Sequence, residues 1–184
     1  MEREKALKLL TDNIKNQNLQ KHCLAVEAAM RELAKYFGED KNKWGICGLL
    51  HDIDYEKTKD DPNLHSKKGA EMLKELGFDE ELCDAVLTHN EAHGAEPETK
   101  MAKALFCLDP LTGLIVAATL VLPSKKIGDL KPENILNRFG EKAFTRGVNR
   151  EIIQECETLL NLSLEKFIEI TLKAMQNISK DLGL

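Results

Sequence analysis

The sequence predicts an all-α protein, a compact helical bundle followed by a C-terminal helical extension. Apolar residues recur at three- and four-residue spacing along most of the 184 residues, and no segment shows the alternation that is typical of a strand. Helix caps and stops, such as Asp40 and Gly38, fall between the apolar segments. Because no repeat, low-complexity tract or Gly/Ser linker divides the chain, we expect a single domain over residues 1–184.

The helices predicted up to residue 122 each follow from an apolar face bounded by a cap or a stop. Short polar side chains cap helix starts, and glycine ends helices because it tolerates a left-handed backbone. The expected caps are Asp40, Ser66 and Asp79, and the expected stops are Gly38 and Gly77. Pro110 and Gly113 interrupt the last helix. In chain order we predict helices at 7–14, 19–37, 41–51, 66–76, 80–89 and 99–122, and loops at 53–65 and 90–97.

Residues 123–184 predict an extension that carries no candidate ligand. Pro132 is expected in the first turn of a helix that runs to Phe139. Asn149 and Ser163 are expected to cap two further helices. We expect the extension to serve packing, a lid or an oligomer contact. Its core candidates are Ile152, Ile153, Leu159, Leu164, Phe167, Ile170 and Leu172.

The composition of the chain excludes some classes of binding partner and predicts the cellular compartment. A net charge of −5, with one Trp and two Tyr, argues against a nucleic-acid polymer and against an anionic membrane surface. The longest apolar stretch, Leu114–Leu122, is too short to cross a membrane. The charged N-terminal segment lacks the apolar core of a signal peptide, so we expect a cytoplasmic protein. The five cysteines are odd in number and form no Cys-x-x-Cys pair, which predicts buried, reduced thiols.

The dipeptide His51-Asp52 ends the apolar run Ile46–Leu50, and it is one member of an ordered series of metal-competent side chains. Imidazole suits Zn, Fe, Mn or Ni, and an adjacent carboxylate supplies negative charge for a divalent cation. A single buried histidine is more often structural, but the series as a whole favours a metal site. Its members are His22, His51, Asp52, His65, His89 and Asp109.

The order His…His-Asp…His…His…Asp resembles the HD superfamily of metal-dependent phosphohydrolases, over roughly residues 19–120. The segment 108–114, LDPLTGL, is similar to the closing Asp-Ala-Leu-Thr-Gly motif of small HD proteins, although Pro110 departs from it. The resemblance implies one or two divalent ions (Fe, Mn, Zn or Ni). One ion would bind a first set of ligands, and a second ion, where present, would bind another set, with Asp52 bridging. The first set is His22, His51, Asp52 and Asp109, and the second is His65, His89 and Asp52.

The resemblance also implies an activity, in which metal-activated water attacks phosphorus and Asp52 belongs to the catalytic centre. Many HD phosphodiesterases continue His-Asp-Ile-Gly-Lys, with the lysine on a substrate phosphate. Here Asp54 and Tyr55 follow Ile53, so Lys57 is the candidate for that contact. His93 is expected at the surface or on the substrate side rather than as a ligand. The expected substrate is a small phosphorylated molecule, a nucleotide.

Two alternatives remain open from the sequence. The same ligands serve a di-iron oxygenase on the HD scaffold, and a non-catalytic HD module could bind a nucleotide or a partner. His65 and His89, taken singly, could also be structural or could contact the substrate. Imidazole must be neutral to bind a metal, so metal binding is expected to weaken as the pH falls through about 6.5.

Overall fold

A computed structural model describes residues 1–141 and 143–184, and this part of the chain holds helices and turns but no strand. The all-α prediction is therefore confirmed. The helices in chain order are α1 (Arg3–Asn13), α2 (Gln17–Phe37), α3 (Lys41–Leu50), α4 (Tyr55–Thr58), α5 (Lys67–Glu75), α6 (Glu80–Thr88), α7 (Lys100–Leu120), α8 (Pro132–Gly140), α9 (Arg150–Gln154), α10 (Cys156–Leu159), α11 (Leu164–Asn177) and α12 (Ser179–Leu182). Single 3-10 turns lie at Glu91–His93 and Ile127–Asp129.

The two 21-residue helices, α2 and α7, form the centre of the bundle. Helix α2 packs against α3, α7 and α11, and α7 also packs against α6, α8 and α9. Helix α7 is long and apolar enough to cross a membrane by length and composition alone, which the nine-residue apolar stretch had not predicted. However, 61% of its apolar window is buried inside the protein, which identifies α7 as a core helix of the bundle.

Several predicted helix ends are confirmed by their hydrogen bonds. The side chains of Asp40 and Asp79 accept from backbone amides at the starts of α3 and α6. Asn149 and Ser163 do the same for α9 and α11. Gly38 adopts a left-handed backbone with φ of 73° and ends α2. Asp40, Asp79 and Gly38 thus fix ends of α3, α6 and α2, the helices that carry or precede His51, His89 and His22.

Three predictions near the site are wrong in detail. The segment 53–65 is not all loop, because it contains α4. Ser66 does not cap α5: its backbone has a positive φ of 67°, and its hydroxyl donates to the carbonyl of Leu87 instead. Pro110 does not interrupt α7, which runs through it unbroken. A proline inside a helix costs about 3 kcal/mol, and the burial of α7 on several sides outweighs that cost.

The C-terminal extension packs onto the central helices. Its predicted core residues Ile152, Ile153, Phe167 and Leu172 are buried, whereas Leu159, Leu164 and Ile170 are only partly buried. The guanidinium of Arg150 donates to the carbonyls of several residues that precede it, which holds this stretch of chain against the start of α9. The accepting carbonyls include those of Phe139, Phe144 and Val148.

Candidate metal centre

The structure brings together all six side chains that the sequence singled out. His22 lies on α2 and Asp109 on α7, while His51 and His89 are the first residues after α3 and α6. The remaining two, Asp52 and His65, lie in the connections on either side of α4. Two overlapping groups of these residues have ligand atoms within 4.8 Å of one another and could hold a metal ion. These groups are His22, His51 and Asp109, and His51, Asp52 and His89.

Four donor atoms converge on one side of Asp52, and they form the first donor set. The Nε2 atoms of His22 and His51 lie 3.2 Å apart, and His22 Nε2 lies 2.9 Å from Asp109 Oδ1. Asp52 Oδ2 lies 3.6 Å from His22 Nε2 and 3.5 Å from His51 Nε2. Donors about 2.0–2.2 Å from one metal ion lie roughly 3.0–3.5 Å apart, so these separations fit a shared ion.

Three donor atoms converge on the other side of Asp52, and they form the second donor set. The Nε2 atoms of His65 and His89 lie 3.2 Å apart. Asp52 Oδ1 lies 3.3 Å from the former and 3.5 Å from the latter. The two oxygens of Asp52 thus face different pairs of histidines, as expected of a bridging carboxylate.

Each of the four imidazoles makes a hydrogen bond through Nδ1 that turns its Nε2 toward the centre. Carbonyl and carboxylate oxygens can only accept, so the facing Nδ1 carries the proton. The Thr112 hydroxyl also accepts from its histidine, because it donates its own proton to the carbonyl of Asp109. The acceptors are Gly48 O for His51 (2.8 Å), Val86 O for His89 (2.6 Å), Asp54 Oδ1 for His65 (3.1 Å) and Thr112 Oγ1 for His22 (3.3 Å).

This tautomer leaves each neutral ring with a bare Nε2 lone pair, and the lone pairs face each other in pairs. While both rings of a pair are neutral, two lone pairs 3.2 Å apart cannot hydrogen-bond to each other. A cation between them removes the repulsion, and imidazole nitrogens with carboxylate oxygens suit a divalent transition metal. The donor set therefore fits one ion on each side of Asp52.

The charges of the site shift the pKa of its members. Burial lowers the pKa of His51, but the carboxylates of Asp52 and Asp109 outweigh burial and raise it to about 9. The pKa of His65 is also raised to about 9, against desolvation, by Asp52 and Asp54. Desolvation favours the neutral carboxyl in Asp52 and Asp109, yet the facing histidines hold both pKa values below the usual range. Protons on His51 and His65 therefore compete with metal up to about pH 9, higher than the range near 6.5 expected from an ordinary histidine.

His93 is half-buried and lies behind His65. Its Nε2 lies 2.6 Å from the carbonyl oxygen of His65 and 2.9 Å from Ser66 Oγ. Asn90 Nδ2 donates to the same His65 carbonyl at 3.2 Å. The positive φ of Ser66, which costs about 1–3 kcal/mol in a residue with a side chain, directly follows His65. The backbone of His65 is thus fixed from several directions.

Neither Lys57 nor a cysteine is among the converging donor atoms. The ammonium of Lys57 donates to Asn13 Oδ1 on α1 at 2.9 Å, and Lys57 lines a separate cavity beside α5, so its proposed phosphate contact stays a prediction without a supporting contact. All five cysteines are free and buried, as predicted. Burial, and then the charges of Asp52 and Asp109, raise the pKa of the Cys23 thiol, which disfavours it as a thiolate ligand.

A pocket of about 220 Å³ opens beside the second donor set. His65, His89 and Asp109 form its floor, and the C-terminal extension supplies part of its wall. Among the described residues that line it there is no lysine or arginine. Its other lining residues are Asn90, Glu91, Phe106, Pro110, Gly147, Asn149 and Ile152. The extension therefore contributes to the surroundings of the site as well as to packing, which the sequence could not distinguish.

Comparison with known proteins identifies a family that agrees with the geometry of the candidate metal centre. A family model described as "HD domain" matches residues 19–114. Ribonuclease Y of Lawsonia intracellularis is 32% identical over 139 residues, which cover 74% of this chain and 26% of that protein. Ribonuclease Y of Thermotoga maritima is 30% identical over 140 residues, covering 74% and 27%. An uncharacterized protein of Methanocaldococcus jannaschii is 44% identical over 88 residues, covering 45% and 50%. The chain thus spans about a quarter of the ribonuclease Y relatives and half of the archaeal one. No solved structure matches significantly.

Proposed function

The chain belongs to the HD domain family, and we propose that it is a metal-dependent phosphohydrolase that cleaves a phosphate ester or anhydride of a nucleotide. The observation that carries this proposal is the position of the Asp52 carboxylate between two pairs of histidines. Each of its two oxygens faces the Nε2 atoms of a different pair. Divalent ions bound there would supply positive charge and lower the pKa of water from about 15.7 towards 7. The six side chains bind and orient the ions, and the Nδ1 partners keep the imidazoles in the binding tautomer.

The two donor sets differ in a way that supports a substrate position. The first set offers four protein donors, including two carboxylates, whereas the second offers three and only the shared carboxylate. Sets of three protein donors leave a coordination position for water or substrate. Two members of the second set, His65 and His89, line the pocket, together with Asp109 of the first set. We therefore place the scissile phosphate in the pocket, next to His65 and His89.

The size and lining of the pocket favour a small phosphorylated group. At about 220 Å³ it is smaller than the roughly 300–1,000 Å³ of most small-molecule sites, so it holds a phosphate and part of the attached molecule. Since no lysine or arginine is among its described lining residues, metal ions would be the local source of positive charge. The side chains of Phe106 and Ile152 offer apolar contact for a sugar or base.

A second candidate substrate is an RNA phosphodiester. It is favoured by the name of the ribonuclease Y relatives, which align with 74% of this chain. The net charge of −5 disfavours a long polyanion, because binding one relies on phosphate contacts from lysine and arginine. A short RNA therefore belongs beside nucleotides in the test.

The proposal is tested by depleting the full chain of metal, reloading it with Mn²⁺, Fe²⁺ or Zn²⁺, and measuring phosphate-ester hydrolysis. The substrates are bis-p-nitrophenyl phosphate, nucleoside mono- and triphosphates, and a short RNA. We expect hydrolysis that requires metal and is lost with chelator. Oxygen uptake without hydrolysis by the iron-loaded protein would favour the oxygenase alternative. Metal binding without either reaction would favour a non-catalytic module.

The number of ions is tested by replacing the histidines of the second donor set. We expect His65→Ala and His89→Ala each to lower the metal content from about two ions per chain to about one, because the first donor set remains complete. Metal content is measured by elemental analysis after dialysis, and Lys57→Ala is the control, since its ammonium contacts Asn13. Two ions retained by both histidine variants would return these residues to a structural or substrate-contacting role.

A further inference from the structure

The histidine His65 differs from the other three in the group that holds its Nδ1. Carbonyl oxygens hold His51 and His89, and a hydroxyl holds His22, so all three have neutral acceptors. His65 alone is held by a carboxylate, Asp54 Oδ1, at 3.1 Å. A carboxylate makes a metal-bound imidazole more basic than a neutral acceptor does. The additional negative charge therefore acts on the second donor set, which has fewer protein donors than the first.

The burial of Asp54 is costly and is not explained by the packing of the fold. Its side chain is 1% exposed, and among the described residues no donor reaches its Oδ2 atom. Burying a carboxylate with an unsatisfied oxygen destabilises the folded state, because hydration is lost and only partly replaced. Among the described residues, His65 is the side chain that hydrogen-bonds to the Asp54 carboxylate. The contact with His65 thus accounts for a carboxylate at this position.

Gly69, in the first turn of α5, provides the space that Asp54 occupies. A Cβ atom at position 69 would lie 3.1 Å from Asp54 Oδ1 and 3.3 Å from its Cγ, closer than most real contacts of a Cβ atom. Glycine within a helix costs about 0.5–1 kcal/mol relative to alanine. The glycine at position 69 therefore lowers the stability of α5 at the point where any larger side chain would displace the Asp54 carboxylate from His65.

We propose that Asp54 is a positioning residue that acts through His65 to set the affinity of the second donor set for its metal ion. Asp54 fixes the ring of His65 with Nε2 toward Asp52 Oδ1 and adds a second negative charge beside the three-donor set, whose only carboxylate is the shared Asp52. The first donor set is held by Thr112 and Gly48 and does not depend on Asp54. This inference rests on the proposed function only in requiring that a divalent ion binds between His65, His89 and Asp52.

The test is a titration of the metal-depleted full chain with Mn²⁺ or Zn²⁺ alone, followed by calorimetry and, for Mn²⁺, by spin resonance. Asp54→Asn keeps an oxygen that can accept from His65 but removes the charge. We expect it to weaken the second binding step by about 10–100-fold and to leave the first step unchanged. Asp60→Asn, an exposed carboxylate on the connection between α4 and α5 that also holds His65, is the charge-matched control and leaves both steps unchanged. Equal affinities in wild type and Asp54→Asn, or equal weakening of both steps, would overturn the proposal.

Gly69→Ala is a second variant that preserves every ionisable group and favours helix α5, so it guards against a misfolded Asp54→Asn. We expect it to weaken the second step in the same direction and by less, since the carboxylate shifts by only a few tenths of an ångström. Nitrogen-15 resonances of His65 report its tautomer independently. We expect the Nδ1-protonated form to persist in Asp54→Asn, whose amide oxygen still accepts, and to decrease in Gly69→Ala, whose added methyl group displaces the carboxylate. An unchanged second step in Gly69→Ala, with the carboxylate displaced from His65, would contradict it. Absence of a second ion in the wild type would instead refute the two-ion basis of the proposed function.

Discussion

Replacement of Asp52 by alanine is expected to remove both ions and to lower hydrolysis on the order of a thousandfold or more. Both oxygens of this carboxylate face imidazole nitrogens, at 3.3–3.6 Å, so a single substitution withdraws a donor from each set. A metal ion contributes several kcal/mol to catalysis, and each 1.36 kcal/mol changes the rate about tenfold. The loss is measured as metal content per chain and as kcat/KM with bis-p-nitrophenyl phosphate.

Circular dichroism shows whether the Asp52→Ala chain is folded, and we expect helix content close to that of the wild type, because Asp52 serves the site rather than the apolar core. Asp60→Asn is again the control, since it removes an exposed carboxylate of the neighbouring connection. A folded Asp52→Ala variant with full activity would contradict the proposed centre. Asp52→Asn retains one oxygen and should keep more metal than Asp52→Ala.

Removal of metal is expected to lower the melting temperature by roughly 5–11 °C. An ion at a hundredfold excess over Kd stabilises the folded state by about 2.7 kcal/mol, and each kcal/mol shifts Tm by about 2–4 °C in a chain of this size. The donors come from α2, the ends of α3 and α6, both sides of α4, and α7, so an ion ties these elements together. Thermal melts with chelator, and after readdition of Mn²⁺, give the shift. A melting temperature indifferent to confirmed metal loss would contradict it.

The same melts carry a pH dependence with a definite sign. In the metal-free chain the raised pKa values of His51 and His65 give stability that is fully present below about pH 6.5 and is lost as the pH rises through about 9. Metal binds the neutral rings, so its stabilisation grows over the same range. The difference in Tm between metal-loaded and metal-free protein should therefore widen from pH 6.5 to 9. The lowered pKa values of Asp52 and Asp109 contribute stability that is lost only at acid pH.

The candidate ligands could be predicted from the sequence, whereas the residues that hold them could not. His51 and Asp52 stand out because two polar residues end an apolar helix, and their order with the other members indicates the family. In the sequence, Asp54 is only a departure from the His-Asp-Ile-Gly-Lys motif. Its contact with His65 could not be predicted, because the two residues lie on opposite sides of α4 and only the fold brings them together. Serine is a residue type that often caps helices, which is why Ser66 was predicted to be a cap. Its hydroxyl instead contacts Leu87 and His93, which are far away in sequence.

The same limit applies to Pro110, for a different physical reason. Local stereochemistry disfavours a helix at the residue before proline, and this rule predicted an interruption at Asp109. Helix α7 instead continues, because its apolar faces pack against helices on several sides. Asp109 consequently projects from a regular helix toward His22, at 2.9 Å. Tertiary packing, which a local pattern does not contain, decided the geometry of this ligand.

Because the C-terminal extension lines part of the pocket, the shape of the pocket and the set of candidate metal ligands lie in different parts of the chain and can change independently. The match to the family model ends at residue 114, and every metal-competent side chain of the centre lies before it. Gly147, Asn149 and Ile152 lie beyond it, and Asn149 Nδ2 donates to Glu91 Oε2 at 2.8 Å across the opening. Substitutions around Asn149 could thus alter which molecules fit while leaving the reactive chemistry intact. The extension is therefore the region in which the lining of the pocket can change while the six candidate ligands stay the same.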